Sequence, residues 1–209
     1  MEKDFDIMPI VSQLNTYTLA QIKNLQKELN KGHEDDTLFA FNDHVYIIYQ
    51  QKAHKSLYQL VKHRLIKANH EEYTANGKQV LVSYDIPLPN NLIDLLSYDG
   101  MVTFFSLLVD FFKQTFGNEN ILSALIHFED QHPHLHLQHF PINPETHQLG
   151  ASVIKSKKKY IEQALNAYMN ATDFYTPYLF TAETPDAFLN ADYLSHNLFE
   201  SIPLDFSNI

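Results

Sequence analysis

Two spacings of apolar residues alternate along the chain. Leu19, Ile22, Leu25 and Leu29 recur at helical spacing and predict a helix over Leu14 to Lys31, stopped by Asn30, Lys31 and Gly32. Ser56 to Lys67 repeats that spacing through Leu57, Leu60, Val61 and Leu65. Asp99 to Phe116 is too apolar to be an exposed helix, and Gly117 and Asn118 end it. A further helix is predicted over Ser156 to Asn170. Thr37 to Tyr49 reads instead as two short strands around an Asn42–Asp43 turn. Gln79 to Ile86 is a strand closed by Pro87 and Pro89. Ile121 to Phe128 and His134 to Ile142 are two more strands, joined by the polar turn Glu129–Pro133. Helices and strands mixed in this order predict an α+β fold, with a mainly antiparallel sheet and helices packed on it.

Length and composition place this pattern in one domain with elaborations: 209 residues, 44% of them hydrophobic. The expected division is a domain over residues 1–172 and a C-terminal extension over 173–209. The aromatics from Phe174 onward suit an extension packed on that domain better than a disordered tail. There is no cysteine, which excludes a disulfide framework, a thiolate nucleophile and a Cys-ligated zinc or iron–sulfur site. No run approaches the length of a membrane span, and the charged start MEKDFDIMPI is unlike a secretory signal, so a cytoplasmic protein without membrane partners is expected.

The net charge is −10, from 15 basic and 25 acidic side chains, which argues against a surface coated by nucleic acid and leaves room for a local basic path. Lys155, Lys157, Lys158 and Lys159 form the one dense basic stripe, and Arg64 is the single arginine. Lysines at a helix start oppose its dipole and hint at an anion nearby; a solvated helix start is the plainer alternative.

Histidine is over-represented, with 12 in the chain, and His127, His132, His134, His136 and His139 crowd into one segment. On a strand, His134 and His136 share a face while Leu135 and Leu137 pack on the other. His127 ends the preceding strand, and a short turn returns the chain alongside it. Three imidazoles can then converge from two neighbouring strands, an arrangement that suits a catalytic metal with an open coordination position. Imidazole suits Zn, Mn, Fe, Co or Ni, and spacing does not choose among them. Glu129 or Asp130 is placed to orient a ligand or add an oxygen. His132, in the turn, and His139, on the other strand face from His136, are assigned no role. The plain alternative is a set of surface histidines on a polar hairpin.

The string His127–Phe128–Glu129–Asp130–Gln131–His132–Pro133–His134–Leu135–His136 resembles the metal motif of the plasmid mobilisation and recombination (Mob/Pre) relaxases, with the two acids in reversed order. These belong to the His–hydrophobic–His class of single-strand DNA nucleases. The likeness spans roughly residues 57–172. It includes Phe104–Phe105, Phe111–Phe112, the lead Phe116–Gly117–Asn118–Glu119–Asn120–Ile121, and the lysine-containing segment and helix of Lys155–Asn170. The resemblance implies a divalent cation (Mn, Mg or Zn) held by His127, His134 and His136, with Glu129 and Asp130 sharing the acidic catalytic role. It implies plasmid origin-like single-stranded DNA as partner, with Lys155, Lys157, Lys158 and Lys159 toward its phosphates. The reaction implied is nicking and rejoining of a DNA strand by transesterification, through a covalent protein–DNA intermediate.

The family's N-terminal His–Asn–x–Arg nucleophile motif is absent; the comparable stretch is Asn24–Leu25–Gln26–Lys27–Glu28–Leu29. Tyr160 lies on a helix after the metal strands, yet the Tyr–x–x–Lys pattern of related replication initiators is not completed. The nucleophile is therefore unassigned. Two other readings stay open: a catalytically silent relative that binds DNA or protein, and an unrelated metal-dependent hydrolase built on the same three histidines.

Overall fold

The computed structural model describes residues 8–29, 45–51, 56–70, 77–128, 132–143 and 148–175. Among the described residues, β1 (Gln13–Thr18), β2 (Val45–Gln50), β3 (Gln79–Pro87), β4 (Ile121–His127) and β5 (His134–His139) form one sheet in the order β1-β3-β5-β4-β2. Every neighbouring pair is antiparallel, as expected from the sequence. The β4–β5 hairpin lies in the interior of the sheet, and β1 and β2 are its edges.

Both faces carry helices. Val82, Tyr84, Ile86, Ala124, Ile126, Leu135 and Leu137 point to one face and join a core with α4 (Tyr98–Phe116), α5 (Ala151–Ser156) and α6 (Lys158–Ala171). Helix α4 is apolar round much of its girth because it supplies Phe104, Phe105, Leu108, Phe111 and Phe112 to that core. Leu81, Leu122 and Leu125 point the other way, to α1 (Leu19–Leu29) and α2 (Leu57–Lys67). Helix α2 starts at Ser56 in a capping box: its hydroxyl accepts the Gln59 N–H, and the Gln59 side chain accepts the Ser56 N–H. The single turn α3 (Asn90–Ile93) links β3 to α4.

The Phe–Gly–x–x–Asn–Ile lead has a structural explanation. Gly117 stops α4 at φ +87°, a left-handed setting that disfavours a side chain, and a Cβ there would lie 2.7 Å from the Glu119 carboxylate. Asn120 is buried, and its amide donates to the Phe116 carbonyl at 2.8 Å and the Ile142 carbonyl at 3.3 Å. The end of α4, the start of β4 and the exit of β5 are thereby tied together just before β4 carries His127 into place. Arg64 donates to the Glu119 carbonyl, so the single arginine serves this junction.

Four expectations need correction or restriction. The helix expected from Leu14 begins at Leu19, and Gln13–Thr18 is strand β1. Leu14 is buried between exposed Gln13 and Asn15, a period of two, and pairing with β3 decides the conformation. Of the hairpin expected over Thr37–Tyr49, residues 37–44 lie outside the described residues, while Val45–Gln50 pairs with β4. The helix expected from Ser156 is two helices broken at Lys157, with Ser156 ending α5. Lys155 thus lies in the last turn of α5, where its charge complements the dipole rather than opposing it. Of the C-terminal extension, Phe174 packs on Phe104 with centroids 5.6 Å apart and Tyr175 is buried, while 176–209 lie outside the described residues.

Candidate metal centre

Strand alternation sends His134, His136 and Gln138 to the face opposite Leu135 and Leu137. His127 pairs directly with His134 across the β4–β5 ladder. The two apolar side chains of β5 are fully buried, so the strand cannot roll, and the rings are fixed from behind. The result is the convergence expected from the sequence. One ligand nitrogen from each of His127, His134 and His136 lies within 4.8 Å of the others. Ring centroids are 5.3 Å apart for His127–His134, 4.7 Å for His127–His136 and 4.8 Å for His134–His136. His127 is buried, and the other two are half-buried, so the open side of the cluster lies toward His134 and His136.

The atoms that face one another are suited to a cation. His134 Nε2 and His136 Nε2 are 3.2 Å apart. Nitrogens bound to one ion at about 2.0–2.1 Å each are roughly 3–4 Å from one another, so this pair already has ligand spacing. His134 Nδ1 lies 3.1 Å from the His132 carbonyl oxygen. That acceptor fixes the N–H on Nδ1 and leaves the Nε2 lone pair turned to the cluster. His132, assigned no role from the sequence, thus contributes through its backbone. The entry to β5 is also held from outside, since the Leu88 N–H donates to the Pro133 carbonyl at 2.8 Å.

One residue of this neighbourhood was not singled out from the sequence. Asp85 on β3 pairs with His136 and shares the histidine face, half-buried. Burial pushes its carboxyl above the usual carboxylate range, and the charge of His134 pulls the other way. A carboxylate beside a ligating imidazole orients it and raises its basicity. The available signal was one acid inside an otherwise apolar strand, QVLVSYDIP. Toward α1 and α2 the same face continues with a buried polar row, in which the Ser123 hydroxyl donates to Gln138 and the Gln138 amide donates to Ser83.

Other expected site residues lie elsewhere. Glu129 and Asp130 are outside the described residues. Lys155, Lys157, Lys158 and Lys159 belong to the α5–α6 layer, which packs on the face opposite the histidines. Lys155 and Lys159 are exposed, whereas Lys158 Nζ is 3.2 Å from the Glu162 carboxylate. Burial raises the Glu162 pKa, but hydrogen bonds from the Ser12 N–H and hydroxyl, together with Lys158, outweigh it and lower the pKa. Tyr160 is exposed in the same layer, and the fold does not bring it to the histidines. His139 is buried on the α4 side, its ring 4.3 Å from Phe116.

Residues 88–176, which include the whole histidine cluster, match the family model described as plasmid recombination enzyme, Mob_Pre. Over less than half of its length, then, the chain is similar to the plasmid recombination enzymes. The matched segment holds α4, the β4–β5 hairpin, α5 and α6, while Asp85 on β3 lies just before it. The fold is similar to the MobM relaxase domain bound to 26-nucleotide pMV158 oriT DNA, at 16% identity and a TM-score of 0.63, over 78% of this chain and 86% of that one. It is also similar to a Mn-bound crystal structure of that domain at pH 6.8 with pMV158 oriT DNA (22 nucleotides and a 3′-thiophosphate), at 17% identity and a TM-score of 0.62, over the same 78% and 86%. No curated protein matches by sequence. Among the described residues no helix is long and apolar enough to cross a membrane.

Proposed function

We propose that the chain is a Mob/Pre relaxase that uses a divalent cation to nick and rejoin single-stranded plasmid DNA in the cytoplasm. The observation that carries this reading is the convergence of His127, His134 and His136 on one sheet face. The solved relaxase domains of the same fold are described as bound to plasmid origin DNA, and one as Mn-bound.

In this reading the three imidazoles hold the cation, the His132 carbonyl fixes the tautomer of His134, and Asp85 orients His136. A cation held there would supply Lewis-acid polarisation of a phosphodiester and would offset the charge that develops in the transition state. The half-buried side, at His134 and His136, receives the phosphate, while buried His127 anchors the cluster. Glu129 and Asp130, between His127 and His134 in the sequence, share the acidic role. Attack by a protein nucleophile forms a bond to phosphorus, breaks the bond to the 3′-oxygen and leaves a 3′-hydroxyl, and the reverse reaction reseals the strand. Lys155, Lys157, Lys158 and Lys159 attract DNA backbone away from the centre, with Lys158 shared with Glu162.

One observation favours a second reading. Helix α1, LAQIKNLQKEL, carries no hydroxyl and no imidazole side chain. A relative that keeps the cation site and binds DNA without cutting it would have this feature. Incubation with an origin oligonucleotide and Mn²⁺ separates the two. A protein–DNA adduct that survives denaturant establishes the relaxase, binding without cleavage establishes the silent relative, and metal-dependent cleavage without adduct establishes a hydrolase.

A further inference from the structure

Three aromatic rings gather at the histidine end of the sheet, on its other face. Tyr46 on β2 pairs with Ile126, and Phe128 follows His127 out of β4. Alternation places both on the α4 side, where Phe128 packs against the core. Tyr98, the first residue of α4, completes the group: its ring centroid is 4.8 Å from Phe128 at 34° and 6.3 Å from Tyr46 at 81°. Phe128 is half-buried and forms the floor, while Tyr46 and Tyr98 are 38% and 53% exposed.

The geometry points to a stacking platform on Tyr46, Tyr98 and Phe128 for unpaired bases of the DNA strand that engages the histidine centre. This rests on the relaxase or DNA-binding reading above and adds where the bases are held. Phe128 is the next residue after His127, so the platform and the imidazoles share one end of β4, on opposite faces of the sheet. Charge points the same way. The chain has a net charge of −10, Arg64 is committed to the Glu119 carbonyl, and Lys158 is paired with Glu162. Acidic side chains outnumber basic ones, and stacking on aromatic rings needs no cation, contributing about five- to a hundredfold in affinity per base. The platform therefore takes base faces rather than backbone. Paired DNA hides those faces, which selects single strands.

The chain contains no tryptophan, so Tyr98→Trp introduces a single indole reporter at the platform. The experiment titrates full-length wild type, Tyr46→Ala, Tyr98→Ala, Tyr98→Phe and Tyr98→Trp with fluorescein-labelled oligothymidylate in Mn²⁺, reading anisotropy and indole emission. The expected result is binding by wild type and Tyr98→Phe, at least about fivefold weaker binding by each alanine variant with an unchanged salt slope, and quenching of the introduced indole that saturates with the anisotropy. Binding with unchanged alanine variants and unquenched indole overturns the platform and leaves the DNA-binding reading standing. No binding by wild type overturns both.

Discussion

Asp85 and His136 face each other across the β3–β5 ladder, on the sheet face that also carries His127 and His134. The acid comes from β3, two of the imidazoles from β5 and the third from β4, so three adjacent inner strands contribute to one cluster. Side chains that share a face of a sheet are held at fixed spacing by its hydrogen-bond ladder, and that rigidity is what a cation site with an open side requires.

Asp85→Asn should therefore weaken divalent cation binding by ~10–100-fold while leaving the far-ultraviolet circular dichroism unchanged. Calorimetric titration with Mn²⁺ checks this. Wild-type affinity in the variant would remove Asp85 from the site.

Gly117→Ala should destabilise the chain by ~1–3 kcal/mol, since alanine would have to adopt a backbone setting close to glycine-only. It would also press on the Glu119 carboxylate. The urea midpoint measures the effect. Because Gly117 sets the entry of β4, cation affinity should fall along with stability.

His139 should make the fold sensitive to acid. Burial pushes its pKa down to about 3, and neither ring nitrogen has a hydrogen-bond partner among the described residues. The unfolded chain takes up this proton near about pH 6.5, whereas the folded chain resists it. The stability linked to the neutral ring is thus fully present above about pH 6.5 and is lost toward pH 3, by up to roughly 1.4 kcal/mol per pH unit. Urea unfolding of wild type and His139→Leu in EDTA, at pH 7 and at mildly acid pH, should show a smaller acid loss in the variant. Parallel losses would contradict this account.

The lysine stripe should divide by function. Removing exposed Lys155 and Lys159 together should lower the dependence of DNA affinity on log salt by about 1.4, roughly 0.7 for each phosphate contact to a single strand. Lys158→Ala should act mainly on stability, because its charge is engaged by Glu162. Binding isotherms across a salt series, paired with thermal melts, separate the two effects.

Much of this was legible in the residues. The His127, His134 and His136 cluster could be read because strand alternation and a short hairpin turn fix side-chain direction from sequence alone. Helix α4 was legible from its apolar run, and α2 from its spacing. Strand β1 was not, because Leu14 continues the helical spacing of Leu19 and Ile22, and only pairing with β3 shows it to be extended. Asp85 escaped notice because its partner His136 is far away in sequence, and the register that joins them is a tertiary fact. The position of the lysines could not be read either, since nothing in their spacing tells which face of the sheet their helices cover.

The central claim is that His127, His134 and His136 together hold one divalent cation. The most direct measurement is the Mn²⁺ content of wild type and His136→Ala after equilibrium dialysis against micromolar Mn²⁺. One ion per wild-type chain and its loss in the variant is the predicted result. Equal content in the two proteins, or no bound ion in wild type, would contradict it.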